Sequence, residues 1–155
     1  MKVMFVCLGN ICRSPAAQSV FEMRVAQRGL SALIEAESSG TSSYHVGDLS
    51  DSRMRKAAKS YAVDIYHHSR HFTIHDLQEY DLILAMDSNN LSDILRMAKD
   101  ESERRRVKMF REFDPEGPGD VPDPYYGGAQ GFDNVMMMLL RTCDIIIDRI
   151  EKDTI

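Results

Sequence analysis

The segment Lys2-Val3-Met4-Phe5-Val6-Cys7-Leu8-Gly9-Asn10-Ile11-Cys12-Arg13-Ser14-Pro15 decides the fold. Its first half, Lys2–Cys7, is short, almost wholly apolar and rich in Val and Phe. Such a run, without polar alternation, predicts a strand buried on both faces. Gly9 and Asn10 break the run. Ser14-Pro15 then reads as the N-cap and first-turn proline of a helix. Ala17, Val20, Phe21 and Val25 give that helix its apolar stripe, and Gly29 ends it. A doubly buried strand that runs through a short polar loop into a helix is the opening of a crossover unit.

The rest of the chain continues this pattern. Ile34–Ser38 reads as a second strand, Asp51–Tyr61 as a mostly polar helix, and Asp81–Met86 as another strand buried on both faces. Asp87 or Ser88 caps a helix with Leu91, Ile94, Leu95 and Ala98 facing inward, and Val107–Phe110 supplies a fourth strand. Glu112–Gly128 holds four of the five prolines and reads as a long loop. Loops of that length in a compact fold are often functional. A final helix from Phe132 to Lys152 carries an apolar stripe at Phe132, Val135, Met136, Leu139, Leu140, Cys143, Ile146, Ile147 and Ile150. The run Met136–Met138 and Cys143 therefore belong to the core or its edge, and not to a cofactor site. The alternation predicts an α/β fold of three layers, a four-stranded parallel sheet with helices on both faces. Ligands of such sheets bind beyond the carboxyl ends of the strands, where residues 8–13 lie.

Composition narrows the function. The 155 residues, 43% apolar and 28% charged, suit one domain spanning 1–155. With 19 Lys plus Arg against 24 Asp plus Glu, the net charge is -5, which argues against a nucleic-acid partner. Arg104-Arg105-Arg106 follows Asp100, Glu101 and Glu103 and reads as a solvated charged face. No stretch approaches the ~20 apolar residues of a membrane span. The apolar run Val3–Leu8 is too short for a signal peptide. Three cysteines do not form a secreted disulfide framework. The expectation is a cytoplasmic protein with reduced thiols and no membrane partner.

The loop itself carries the chemistry. The unpaired N–H groups at a helix start face back toward it and favour an anion. Gly9 and Asn10 tolerate left-handed backbone angles, which turn successive N–H groups inward as an anion nest. Arg13 adds a planar fork matched to two oxygens of a phosphate-like anion. Cys7, at the strand end, can face the centre of the nest, where amides, helix terminus and guanidinium all favour its thiolate. The Ser14 hydroxyl is placed to donate to the same sulfur. A thiolate beside a bound oxyanion is poised for in-line attack on phosphorus, with the same donors neutralising the equatorial oxygens. No metal or cofactor is called for.

Val-Cys-Leu-Gly-Asn-Ile-Cys-Arg-Ser-Pro at 6–15, Ser-Gly-Thr at 39–41, Ala-Met-Asp at 85–87 and Asp123-Pro124-Tyr125-Tyr126-Gly127-Gly128 together resemble the low-molecular-weight protein tyrosine phosphatases over essentially the whole chain. The resemblance implies that Cys7 is the nucleophile and forms a phosphocysteine, and that Arg13 binds the phosphoryl group. It implies that Asp123 protonates the leaving phenolate and later deprotonates the attacking water. A nearby phosphoryl dianion disfavours ionisation of that carboxyl, which suits an acid. Leu8, Gly9, Asn10, Ile11, Cys12 and Ser14 complete the phosphate-binding loop. Asn10, Ser14, Ser39 and His67 match positions that hold the loop's shape. Leu8, Ile11, Tyr44, Tyr125 and Tyr126 would line the cleft, a slot suited to phosphotyrosine over the shorter phosphoserine. Cys12 matches a thiol that can pair reversibly with Cys7 on oxidation. Phosphotyrosine proteins or peptides are the implied substrates, with phosphate, arsenate or vanadate as inhibitory anions.

Other readings compete. His67, His68, His71 and His75 could suggest a metal, but their spacing fits no single strand or helix face, and His67 reads better as a loop-supporting hydrogen bonder. Asp87 reads as a helix cap before a catalytic acid. A thioredoxin-coupled arsenate reductase shares the Cys-x5-Arg loop but needs a late cysteine pair, where this chain has only Cys143. Protein-arginine phosphatases tend to carry Thr where Ile11 stands. A non-catalytic phosphate-binding module would not need Cys7, Arg13 and Asp123 together.

Overall fold

The computed structural model describes residues 1–155. Four strands, β1 (Lys2–Cys7), β2 (Glu35–Gly40), β3 (Leu82–Ala85) and β4 (Val107–Met109), form one sheet. Their order is β2-β1-β3-β4, and every pair is parallel. Six α-helices flank it: α1 (Arg13–Gln27), α2 (Ser52–Lys59), α3 (Asp76–Glu79), α4 (Ser88–Met97), α5 (Glu101–Arg104) and α6 (Ala129–Glu151). The predicted three-layer α/β architecture is what forms.

The pleat of β1 explains the layers. Val3, Phe5 and Cys7 point to one side, into a core built with α1 and α6, where the Phe5 ring meets Phe21 and Phe110 edge-on at 5.3 and 6.1 Å. Met4 and Val6 point to the other, against Phe72, Leu77 and Ile94. β3 divides in the same way, Leu82 and Leu84 on the first side and Ile83 and Ala85 on the second. A strand covered on both faces has no polar row to present, hence the unbroken apolar run. β2 lies at the sheet edge and accordingly carries exposed Glu35 and Glu37.

Some boundaries differ from expectation. α1 starts at Arg13, and its N-cap is Cys12, with no side-chain cap bond. Ser14 therefore lies inside the first turn, its hydroxyl freed for another partner. Asp87 is the cap of α4, its carboxylate accepting from Asn90 N–H. α3 and α5 are single-turn helices that no apolar periodicity announces. α6 begins at Ala129, three residues before Phe132, because nothing apolar marks its first turn. Its core face is as read, except that Met137 is exposed, and Leu140 and Ile150 are half-buried. The Pro-rich segment is a loop broken by 3-10 turns at Phe110–Phe113 and Pro124–Tyr126. No helix is long and apolar enough to cross a membrane.

The strand order fixes where a ligand can sit. From β1 the chain crosses to β2 on one side, then returns past β1 to β3 on the other. The segments leaving β1 and β3 thus diverge and leave a crevice at their carboxyl ends. Cys7 and Asp87 stand at the two lips of that crevice.

Candidate active site

Residues 8–12 curl from the end of β1 into α1, and the curl closes around the Cys7 sulfur. Asn10 N–H donates to Cys7 Sγ at 3.3 Å, and Ser14 Oγ lies 3.0 Å from it. Asn10 makes the curl possible by adopting a left-handed φ of 56°, a conformation that Asn tolerates better than most residues. Gly40 is required for a different reason. A Cβ there would stand 2.6 Å from the Leu8 carbonyl oxygen, so only glycine lets β2 run so close to the loop.

Asn10 is also the hub that holds the curl. Its Oδ1 accepts from Arg70 N–H at 2.9 Å and meets His67 Nε2 at 2.7 Å. A backbone N–H can only donate, which fixes this atom as the oxygen and makes His67 Nε2 the protonated nitrogen. Asn10 Nδ2 donates to Ser14 Oγ at 2.7 Å and to Ser38 Oγ at 3.1 Å. Ser38 passes its own hydrogen to Gln18 Oε1 at 2.8 Å. Ser14 Oγ has thus used a lone pair, and its hydrogen has two acceptors in reach, Cys7 Sγ and the Ser39 carbonyl at 3.3 Å. An ionised sulfur is the stronger of the two. All of this is buried: Asn10, Ser14 and Ser38 have no exposed surface.

Arg13 forms one side of the hollow. Its Nη1 donates to Asp87 Oδ2 at 2.7 Å and to the Val121 carbonyl at 3.0 Å. Nε and Nη2 donate no hydrogen bond within the protein, so this edge of the fork remains for an oxyanion. Burial works against the Arg13 charge. Cys7 first, then Asp87 and Asp123, outweigh it and hold the pKa above its usual value. Asp123 Oδ2 stands 3.5 Å from Arg13 Nη2 at the rim, while its Oδ1 accepts from Tyr125 N–H at 3.1 Å. Cys7, Arg13 and Asp123 line a single cavity of about 420 Å³ whose walls include Leu8, Ile11, Tyr44, His45, Tyr125 and Tyr126.

A buried cysteine that accepts from the Asn10 N–H, with a guanidinium edge beside it that makes no hydrogen bond within the protein and a carboxylate at the rim, is an arrangement chemically suited to a tetrahedral oxyanion. The family model for low molecular weight phosphotyrosine protein phosphatases matches residues 2–155. The chain belongs to that family. A low molecular weight protein-tyrosine-phosphatase of Streptomyces coelicolor is 40% identical over 141 residues, covering 89% of this chain and 86% of that one. The crystal structure of a protein tyrosine phosphatase from Entamoeba histolytica, with Hepes in its active site, superimposes with a TM-score of 0.97 at 38% identity, covering 100% of this chain and 99% of that one. The Drosophila arginine phosphatase is also similar, with a TM-score of 0.91, 28% identity and 99% of each chain covered.

In this low molecular weight phosphatase the residues singled out from sequence largely converge. Cys7, Leu8, Gly9, Ile11, Cys12, Arg13, Tyr44, Asp123, Tyr125 and Tyr126 share the cavity, with Asn10 and Ser14 directly behind it. His67 supports Asn10, and burial, the main cause, holds its pKa below the usual value. Ser39 differs. Its hydroxyl points to the Met4 sulfur at 3.3 Å, and only its carbonyl reaches Ser14. Successive strand residues face opposite sides, so Ser38 supports the loop where Ser39 was expected. Cys12 is buried, and burial pushes its thiol well above the usual range. The histidines diverge: His68 faces Gly47 O and His71 faces Thr41 O. Sequence reading missed the Asp87–Arg13 ion pair, Ser38, Gln18 and Arg70. The Ala-Met-Asp motif was a signal for Asp87, but a helix cap already accounted for it. The others are polar residues with no motif, and only their burial marks them.

Proposed function

We propose that this chain hydrolyses phosphotyrosine and related aryl phosphates through a phosphocysteine on Cys7. The Cys7 thiolate attacks phosphorus as the bond from phosphorus to the phenolic oxygen breaks. The Asp123 carboxyl gives its proton to the departing oxygen. Water then attacks the phosphocysteine, Asp123 takes a proton from it, and inorganic phosphate and the thiolate are released. Nε and Nη2 of Arg13 and the loop N–H groups hold the equatorial oxygens throughout, a preorganised set of donors that needs no reorientation during the reaction.

The observation that carries this reading is the Cys7 sulfur on the floor of the cavity. It is 2% exposed, within hydrogen-bond reach of Asn10 N–H and Ser14 Oγ, with Arg13 and Asp123 on the same hollow. The aromatic wall supports an aryl substrate, and the bulk of Ile11 favours a flat ring over a guanidinium. The likeness to an arginine phosphatase makes phosphoarginine the sharpest competitor. Reduction of arsenate is disfavoured because Cys143 is fully buried in α6, facing the Ala17 carbonyl. It offers no surface thiol for a disulfide relay.

Rapid acid quenching during turnover of an aryl phosphate, followed by peptide mass analysis, tests the proposal. One phosphoryl group on the peptide containing Cys7 is expected. A phosphoryl group elsewhere, or faster turnover of phosphoarginine than of phosphotyrosine peptides, overturns it. Phosphate, arsenate and vanadate should compete with substrate, and a chelator should leave turnover unchanged.

A further inference from the structure

The acid-bearing turn is exposed, yet its aspartate must meet a leaving oxygen above a buried sulfur. Its hydrogen bonds are local, from Tyr125 N–H to Asp123 Oδ1 and from Gly127 N–H to the Pro124 carbonyl, and Asp123 Oδ2 reaches outward only to Arg13 Nη2, at 3.5 Å. Val121 anchors the segment below and Pro124 is buried, while the Tyr125 side of the turn is met from α2. The Arg53 guanidinium lies over the Tyr125 ring, 5.2 Å from its centroid, and over the Phe132 ring of α6 at 4.8 Å. Arg53 is half-exposed, but it is not loose. Asp51 Oδ1 accepts from Arg53 Nε at 3.1 Å, and Asp51 Oδ2 accepts from Nη2 at 2.9 Å. The same Asp51 caps α2, and its N–H donates to the Ile11 carbonyl of the phosphate-binding loop at 2.8 Å. The path from floor to roof is therefore continuous: Ile11, Asp51, Arg53, Tyr125, Asp123.

We propose that Arg53 is a positioning residue for the general acid, holding Tyr125, and through it Asp123, at a fixed height above the phosphate-binding loop. This deepens the reading of Asp123 given above and rests on it. A planar guanidinium suits the task because it presents one edge to Asp51 while its faces stack on rings. A lysine could do one or the other.

The test compares kcat/KM on phenyl phosphate and on 2,4-dinitrophenyl phosphate, whose leaving group needs no proton. The variants are Arg53→Met, Arg53→Lys, Asp123→Ala and the double variant Arg53→Met/Asp123→Ala. Lys56→Met, on the exposed side of α2, is the control. Arg53→Met is expected to lose roughly fivefold to tenfold on phenyl phosphate, a small part of the ~10²–10⁴-fold available to an acid. It should lose under about twofold on the dinitrophenyl ester, and should cost nothing further in the Asp123→Ala background, as expected of coupled residues. Arg53→Lys should fall between. Equal losses on both esters, or losses that multiply with Asp123→Ala, overturn the proposal, since a general loosening of the fold acts on both substrates. Competitive inhibition by vanadate, unchanged in Arg53→Met, verifies that the floor is intact. If Asp123→Ala itself shows no leaving-group dependence, the acid assignment falls and takes this proposal with it. If Asp123→Ala shows it and Arg53→Met does not, only the role of Arg53 falls.

Discussion

The floor and the roof of the hollow are built on opposite terms. Of residues 7–14, Cys7, Asn10, Cys12, Arg13 and Ser14 are all buried and only Leu8 is exposed. Asn10 alone makes bonds to five different residues there. The roof, 123–126, leaves Tyr126 87% exposed and is fastened from below, at Val121, whose N–H donates to the Met86 carbonyl at 2.7 Å and whose carbonyl accepts from Arg13. Under the proposed function, the difference follows from what each part must do. The phosphoryl group has one shape, so its donors are worth fixing. A leaving group must enter and depart, so its acid stands at an open rim.

The largest effects should come from the floor. Cys7→Ser should reduce turnover of aryl phosphates by at least ~10⁴-fold, as removal of a nucleophile does, while phosphate or vanadate binding persists. Retained turnover would erase the distinction between floor and roof. Next comes Asp123→Ala, expected to cost ~10²–10⁴-fold with phenyl phosphate and far less with an activated ester. An equal loss on both would show that the roof does something other than proton transfer.

Asn10→Ala tests how much of the floor's rigidity sits in one side chain. It strips a partner from Ser14, Ser38, His67 Nε2 and Arg70 N–H and places alanine at a left-handed φ. A destabilisation of about 2–4 kcal/mol is expected, measured by denaturant unfolding. A change below ~1 kcal/mol would show that these bonds are redundant.

His67 sharpens the comparison by pH. Burial holds its folded pKa below the usual 6.5. The unfolded chain therefore binds a proton that the folded one resists. Stability from this group is present in full above about pH 6.5 and is lost as pH falls below it, toward the lowered folded value. Unfolding free energy should thus decline on acidification from pH 7 to ~5, and less steeply in His67→Gln. Parallel slopes would mean that the buried floor does not feel this proton. The smallest effect belongs to the outer roof. Tyr126→Ala, at a side chain with most of its surface in water, should change kcat/KM for small aryl phosphates by less than about threefold, and a tenfold loss would show that this ring contacts even a small substrate.

Sequence alone went far where the chemistry is local. The strand Lys2–Cys7, the anion loop and the start of α1 are contiguous, and their hydrophobic pattern and turn residues act through neighbours in the chain. Cys7 and Arg13 were legible as candidates for the same reason, and the apolar runs announced the parallel sheet. What the sequence could not disclose was decided across the sheet. The pleat of β2 chose Ser38 over Ser39. Strand order brought Asp87, 74 residues away, to Arg13. The register of an edge strand required Gly40 beneath Leu8, and α2 carried Arg53 to the underside of the acid turn. Each depends on which elements pack side by side, and a hydrogen bond or a stacked ring falls off within a few ångströms. Residue types and local periodicity therefore pointed to Cys7 and Arg13 as the candidate reacting groups, and the family resemblance to Asp123, while the positions of their supports were set only when distant segments closed together.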